Sequence, residues 1–277
     1  MVPVVINADD FGLTEGVCKG IVKAIQTGSV TATTAMACVP GAVERLTRWA
    51  PEITGRIGAH LQLTSGVPVL SPERVPSLVP DGERFPSNRK AVRAPNTEEI
   101  LAEWRAQMEL LLRAGIEPTH IDSHHHIHRL PSALPAFCEI AKQYGLPARS
   151  VDTEMTRALL EAGVFCLGKT VTGWYGGDLS LASLVQLLKE GARECPQPQA
   201  LELMCHPGLA DDDLAGVSRY TSERENELAV LCDRALQKEL AVAGFSLATM
   251  ASAAGISRPM RALKRMGSRY VGFPGLG

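Results

Sequence analysis

The sequence VPVVINADDFG, residues 2–12, decides the fold class. Its first part, Val2 to Ala8, is a short apolar run with β-branched residues, and polar residues and a glycine end it. Runs of this kind are typical of strands buried on both faces, which occur mainly in parallel sheets covered by helices. The stretch therefore predicts an α/β protein whose first strand ends at the carboxylate pair Asp9 and Asp10.

The pattern that follows alternates between strand and helix, as in parallel α/β proteins. The next predicted elements are a helix from Thr14 or Glu15 to Gly28, a strand at Ala32–Cys38, a helix at Ala42–Trp49 and a strand at Arg56–Leu63. Later helices are predicted at Thr97–Ala114, with Thr97 as its cap, Leu134–Tyr144, Leu179–Gly191 and Ser222–Ala243. Later strands are predicted from Thr119 into the histidine-rich segment, and at Ala148–Val151, Gln199–Met204 and Phe245–Ala248.

The composition favours an enzyme-sized α/β domain over a nucleic-acid binder. The chain has 277 residues, of which 45% are hydrophobic, so a large buried core is feasible. A net charge of −2 and 5% aromatic residues give neither a basic footprint nor a stacking platform for bases. The seven cysteines show no CxxC pairing, which argues against a structural zinc knot.

The expected organisation is one (β/α) domain over residues 1–255, followed by a basic tail at 256–277. The N-terminus shows no signal-peptide pattern and no stretch is apolar enough to span a bilayer, so we expect a cytoplasmic protein. Residues 64–96 hold six prolines and little periodicity. A loop of this length predicts either a lid or substrate wall, or a surface excursion.

Four polar segments lie at the ends of predicted strands. The segment THIDSHHHIH, residues 119–128, holds five of the seven histidines, and the other two are His60 in GAHLQLT and His206 in ELMCHPG. The fourth segment is the Asp9–Asp10 pair. Because ligands of parallel α/β proteins bind beyond the carboxyl ends of the strands, we expect the four segments to form one site.

The residue types at these positions suit a metal-dependent hydrolase. Two imidazoles and one carboxylate leave an open position on a metal, and a second carboxylate and a separate histidine can then move protons. Strand alternation would place His120, Asp122, His124 and His126 on one face, with His124 nearest the end of the strand. Taken singly, the aspartate pair could instead be a turn with a helix cap, and His60 a core histidine.

Together these motifs resemble the YdjC/ChbG-like carbohydrate deacetylases. The resemblance is carried by INADDFG at 6–12, SVTATTAM at 29–36, GAHLQLT at 58–64, THIDSHHHIH at 119–128 and ELMCHPG at 202–208. It implies a deformed, TIM-barrel-like (β/α) barrel related to that of NodB-type polysaccharide deacetylases. Members of the family remove N-acetyl groups from amino sugars with a divalent metal.

Carried onto this sequence, the resemblance implies that Asp10, His60 and His124 bind one divalent ion, Mg²⁺ or Zn²⁺. It further implies Asp9 as the general base and His206 as the acid, although Asp9 and Asp10 could exchange roles. Asp122 and His126 are expected to orient the ligands from behind. Those seven residues are the predicted site.

The sequence leaves alternatives for the substrate and the activity. The expected substrate is an N-acetylglucosamine-containing oligosaccharide or glycoconjugate, and the alternative is an amino-sugar head group on a hopanoid-type glycolipid, as in the family's hopanoid-associated branch. The second would place the protein at a membrane surface. A hydrolase for another bond, such as a phosphoester, and a sugar- or metal-binding relative without catalysis are the rival functions. A homodimer is also expected.

Overall fold

The architecture is a curved, wholly parallel sheet with helices around it. The computed structural model describes residues 1–195 and 200–255. In these residues the strands are Val2–Phe11 (β1), Ala32–Ala35 (β2), Ile57–Leu61 (β3), Ile121–Ser123 (β4), Lys169–Val171 (β5), Leu201–Cys205 (β6) and Phe245–Leu247 (β7). Their order is β4-β3-β2-β1-β6-β5, with β7 beside the start of β1. The prediction of a deformed (β/α) barrel is confirmed.

The helices of the described residues mostly match the predicted pattern. They are Glu15–Gln26 (α1), Ala42–Trp49 (α2), Thr97–Arg113 (α3), Leu134–Tyr144 (α4), Thr153–Glu161 (α5), Leu181–Glu194 (α6), Leu214–Val217 (α7), Ser222–Leu231 (α8), Arg234–Val242 (α9) and Met250–Ala253 (α10). Short 3-10 turns lie at Ala50–Ile53, Pro72–Arg74, Pro76–Leu78, Arg89–Ala91 and His124–Arg129.

Two helix predictions were wrong in detail. The cap of α3 is Asn96, whose side-chain oxygen accepts hydrogen bonds from the backbone N–H groups of Glu98 and Glu99. The Thr97 hydroxyl instead donates to the Ser132 carbonyl. The predicted long helix at 222–243 is two helices. Asp233 has an extended backbone and caps the second helix, α9. This change of backbone conformation ends the first helix, α8.

Two strand predictions also need correction. The histidine-rich strand ends at Ser123, because His125 and His126 take left-handed φ angles of 54° and 49° that no strand allows. The predicted alternation of faces is therefore wrong beyond Ser123. The segment 148–151 forms only an isolated bridge, from Ala148 to Ile121, and is not a strand.

The proline-rich loop, residues 64–96, is a packed wall of the molecule. Val75, Leu78 and Phe85 are buried in the main core cluster. The buried carboxylate of Glu103 on α3 accepts hydrogen bonds from the backbone N–H groups of Val69 and Leu70, at 2.9 and 3.0 Å. These contacts favour the substrate-wall interpretation of the loop over the surface excursion.

One glycine controls how closely the chain after β6 approaches α1. A Cβ at Gly20 would lie 2.6 Å from the Cα of Gly208, which no real side chain tolerates. The absence of a side chain at residue 20 therefore lets the loop after β6 lie against α1, and this loop begins at His206.

No helix in the described ranges is long and apolar enough to cross a membrane. The predicted basic tail, 256–277, lies outside the described residues, so the division into one domain and a tail stays a prediction.

Candidate metal centre and cleft

An irregularity at the end of β1 brings two adjacent carboxylates to one place. Neighbouring side chains on a regular strand point to opposite faces. Here the pairing of β1 with β2 shifts register between Ala8 and Phe11, and Asp10 takes a left-handed φ of 72°. Bulges of this kind re-aim side chains. Asp9 and Asp10 are consequently both buried and both line the same cleft.

Three predicted ligands converge at the floor of this cleft. Asp10 lies one residue before the end of β1, His60 lies on β3, and His124 directly follows β4. The Oδ1 atom of Asp10 lies 3.5 Å from His60 Nε2 and 3.3 Å from His124 Nδ1. The two ring nitrogens are 3.3 Å apart. These residues form a group that could hold a metal ion.

The donor atoms fit a metal on two counts. Asp10 Oδ1 is buried and has no hydrogen-bond partner in the described residues, whereas Oδ2 accepts from Arg224 Nη2 at 2.7 Å. An orphaned carboxylate oxygen is costly to bury unless something binds it. Ligands held by one tetrahedral Zn²⁺ at about 2.0–2.1 Å would lie roughly 3.3–3.4 Å apart, close to the separations observed.

A second group of potential ligands, Asp9, His60 and Asp122, fits less well. The Arg149 guanidinium already lies between its carboxylates, with Nη1 2.6 Å from Asp9 Oδ2 and 2.7 Å from Asp122 Oδ2. A cation placed there would have to compete with this buried positive charge. The group containing Asp10 is therefore the better metal site.

Asp9 is held as an ionised carboxylate. Arg149 binds both of its oxygens, at 2.6 and 2.7 Å, and Asn7 Nδ2 donates to Oδ1 at 2.8 Å. Burial alone would raise the pKa of Asp9, but the Arg149 guanidinium outweighs burial and holds this pKa well below its usual range. Asp9 thus has a fixed orientation and a fixed charge beside Asp10.

Of the two residues expected to orient the ligands, one makes the required contact. Asp122 Oδ1 lies 2.6 Å from His60 Nδ1, which turns His60 Nε2 toward Asp10. Burial opposes the protonation of His60, yet Asp122 raises the pKa of this ring to about 9. His126 lines the cleft, but in the described residues it makes no hydrogen bond to Asp10, His60 or His124. Both orienting roles stay predictions.

His206 lies just beyond β6 and lines the same cleft. Its backbone N–H donates to Glu227, and Arg224 Nη1 donates to its carbonyl at 3.5 Å. Burial lowers the pKa of the ring to about 4, against the opposing effects of Asp10 and Asp9. The lowered pKa favours the neutral ring, which must receive a proton before it can serve as an acid.

Sequence reasoning missed the cations that compensate the two aspartates. Arg149 pairs with Asp9, and Arg224 pairs with Asp10. The sequence did hold a signal that Arg149 has an acidic partner. Arg149 lies within a run predicted as a buried strand, and an unpaired charge is costly there. The same holds for its partner Glu202, at 2.6 Å on β6.

Replacement of Arg149 by methionine is expected to lower the free energy of unfolding by about 3–5 kcal/mol, because it leaves three buried carboxylates without their common cation. Urea unfolding measures the loss. The matched control is Arg129→Met, whose ion pair with Asp152 at 3.0 Å is about half exposed, and which should cost less than about 1 kcal/mol. Equal losses in the two variants would contradict the buried-network assignment.

Glu227 on α8 connects His206 to an aromatic pair. Its carboxylate accepts from the His206 backbone N–H and, at 2.6 Å, from the Tyr220 hydroxyl. Burial raises the pKa of Glu227 from 4.5 to about 7, although both donors oppose this shift. The raised pKa means that the stability contributed by this carboxyl is fully present below about pH 4.5 and is lost as the pH rises through about 7.

Glu227→Gln should therefore become more stable relative to the native protein as the pH rises from 5 to 8, by about 1–3 kcal/mol. The measurement is the difference between the two unfolding free energies at each pH. Glu239→Gln, on the exposed face of α9, provides the baseline and should give a flat difference. A flat difference for Glu227→Gln as well would show that this carboxyl is not perturbed.

The cleft above the candidate metal centre has a volume of about 1140 Å³. Its lining includes basic side chains for which no carboxylate of residues 1–195 and 200–255 forms an ion pair: Arg84, Arg89, Lys90 and Arg219. Two tyrosines, Tyr175 and Tyr220, line it next to His206. The cleft is large enough for a small saccharide and combines a positive wall with an aromatic one.

Comparison with known proteins gives one consistent result. A family model described as YdjC-like protein matches residues 3–242. The carbohydrate deacetylase of Geobacillus stearothermophilus is 38% identical over 250 residues, which cover 88% of this chain and 95% of the relative. The carbohydrate deacetylase of Vibrio campbellii is 35% identical over 254 residues, covering 88% and 93%.

Solved structures agree with this result. A crystal structure of a putative cellobiose-phosphate cleavage protein from Enterococcus faecalis superimposes with a TM-score of 0.81 at 33% identity, covering 91% of this chain and 98% of that one. A Streptococcus mutans CE4 esterase, at 16% identity and a TM-score of 0.50, covers 89% of this chain and 84% of that one and shows likeness of fold alone.

Proposed function

The chain belongs to the YdjC-like protein family, and on this premise we propose that it is a carbohydrate deacetylase that removes an N-acetyl group from an N-acetylated amino sugar. Relatives named carbohydrate deacetylase support the reaction class. The observation that carries the proposal is the convergence of Asp10 Oδ1, His60 Nε2 and His124 Nδ1 beside the Asp9–Arg149 pair. The products would be acetate and a free amine.

The cofactor in this proposal is one divalent cation held by Asp10, His60 and His124. Two imidazoles and one carboxylate favour Zn²⁺ over Mg²⁺, which prefers oxygen ligands. When bound, such a cation polarises the acetyl carbonyl and makes an attacking water more acidic.

The protein's own groups would move the protons. Asp9 takes a proton from water as the oxygen attacks the acetyl carbon, and Arg149 keeps the carboxylate ionised and oriented while lowering its basicity. The carbon–nitrogen bond then breaks, and the departing amine takes a proton from His206. Because burial lowers the pKa of the His206 ring to about 4, this ring must first receive a proton, and the proton that Asp9 takes from water balances the one that the amine gains.

The test of the reaction class is a screen for acetate release by the metal-supplemented protein. The screen compares three classes of substrate, which are free chito-oligosaccharides, an amino-sugar glycolipid and acetylated aminoglycoside-like compounds. Release of acetate together with an equal amount of free amine from at least one class is the expected result. Binding of these sugars without any acetate release would support the rival sugar-binding function.

A lipid-linked amino sugar is a second candidate substrate, because an apolar and a basic side chain lie together in the lining of the cleft. Val217 is 52% exposed and lines the cleft beside the basic Arg219. An exposed apolar side chain next to a cation suits the surface of an anionic membrane. Faster acetate release from the glycolipid than from free chito-oligosaccharides would select this alternative. The expected homodimer and cytoplasmic location stay predictions.

A further inference from the structure

The proposed reaction fixes where the sugar ring must lie, and the following inference rests on that reaction. If His206 protonates the departing amine, the carbon that carries this amine lies within bonding distance of it, and the pyranose ring lies directly beyond. An exposed side chain beside His206 in the same cleft is therefore a candidate contact for the sugar. Tyr175 meets this description, with its ring centroid 5.1 Å from that of His206.

Tyr175 has the exposure and backing of a binding surface. It is 51% exposed and lines the cleft, whereas its neighbour Trp174 is buried and donates through Nε1 to Ser183 Oγ at 3.2 Å. One face of the Tyr175 ring stacks on Tyr220, with centroids 4.3 Å apart and an angle of 13° between the planes. The exposed part of Tyr175 therefore includes the face opposite Tyr220.

The stacked pair is held rigidly relative to His206. The Tyr220 hydroxyl donates to Glu227 at 2.6 Å and accepts from the backbone N–H of Gly176 at 3.2 Å. Glu227 also accepts from the His206 backbone N–H. One buried carboxylate thus fixes both the proposed acid and the tyrosine behind Tyr175, and the Gly176 bond ties down the loop that carries Tyr175.

A flat aromatic surface suits the chemistry of a sugar ring. A pyranose ring presents axial C–H groups on one face and hydroxyl groups at its rim, so that face is apolar and gains from burial against an aromatic ring. Exposed aromatic side chains also occur without function. What distinguishes Tyr175 is its position in the cleft, one ring away from His206, on a fixed support.

We infer that Tyr175 is a substrate-specificity residue that stacks on the pyranose ring carrying the acetamide, with Tyr220 as its support. The ligand class is a saccharide whose acetylated residue exposes an apolar ring face. The phenol hydroxyl of Tyr175 is not required, since the ring face makes the contact.

The test combines kinetics with binding. For Tyr175→Ala, the KM for N,N′-diacetylchitobiose should rise by about tenfold or more, with a smaller change in kcat, because the stacking contact is already present in the bound substrate. The affinity for the deacetylated product chitobiose, measured by calorimetry, should fall by a similar factor. Tyr175→Phe and Tyr175→Trp should stay within about threefold of the native protein for both quantities.

Phe165→Ala is the matched control, because Phe165 is 42% exposed and does not line the cleft. It should leave KM unchanged, and all variants should bind metal as the native protein does. A Tyr175→Ala variant within twofold of the native protein in KM and affinity would overturn the inference, as would a Tyr175→Phe variant as impaired as Tyr175→Ala. Loss of chitobiose binding in Tyr175→Ala, in a protein that releases no acetate from any sugar, would support the inference and refute the deacetylase proposal.

Discussion

His124→Ala is expected to abolish stoichiometric binding of a divalent metal and to lower kcat/KM for acetate release by about 10³-fold or more. His124 Nδ1 is one of three donor atoms at the candidate centre, 3.3 Å from both Asp10 Oδ1 and His60 Nε2. A metal that activates water and carbonyl contributes several kcal/mol to the stability of the transition state, which corresponds to this loss of rate. Metal content and acetate release are measured on the same preparations. Asp10→Ala should show the same losses of metal binding and of kcat/KM as His124→Ala.

The matched control for this prediction is a neighbouring imidazole. His125 contacts Thr64 Oγ1 through Nδ1 at 3.0 Å and has a left-handed φ of 54°, which asparagine tolerates. His125→Asn should still bind one metal ion per chain. Circular dichroism should show that His124→Ala keeps the native fold. A folded His124→Ala protein with native metal content would remove this residue from the ligand set.

Asp9→Asn is expected to keep its metal and to lose kcat by about 10²- to 10⁴-fold, the usual contribution of a general base. The amide keeps the shape of the carboxylate but cannot take a proton from water. Arg149 retains two of its carboxylate partners, Asp122 and Glu202, so the fold should persist. Substrate affinity should change little, because the lost group acts on the attacking water.

The same variant decides between the two aspartates, whose roles the sequence left exchangeable. Asp9→Asn with no bound metal would mean that Asp9 is the ligand and Asp10 the base. The structure favours the opposite assignment, since Arg149 occupies both oxygens of Asp9 while one oxygen of Asp10 lacks any hydrogen-bond partner in the described ranges. Asp10→Asn should accordingly weaken metal binding while Asp9→Asn should not.

Elements with a strong local signal were predictable from the sequence. The apolar run of β1, and the helical pattern that Gly145 ends at α4, placed both elements correctly. The end of β4 was not predictable from alternation, because it depends on two histidines, His125 and His126, in left-handed conformations. The break before α9 carried a signal, the capping residue Asp233, which the longer apolar periodicity of the region obscured.

The site was predictable as a set of strand ends, but its electrostatics were not. Parallel strands deliver their last residues to one edge of a sheet, and this is why Asp10, His60 and His124 meet. Arg149 pairs with Asp9 from 140 residues away, and Arg224 pairs with Asp10 from 214 residues away. No local sequence pattern indicates which residues form such distant pairs. The bulge that turns Asp10 toward the histidines was also not predictable from the sequence.

The central claim is that this chain deacetylates an amino sugar with one metal held by Asp10, His60 and His124. Its most direct test is acetate release from N,N′-diacetylchitobiose by chelator-treated protein before and after titration with Zn²⁺. The account predicts no acetate before addition, and activity that saturates at one ion per chain. Undiminished activity in metal-free protein, or one bound ion with no acetate released from this or any other N-acetylated sugar, would contradict it.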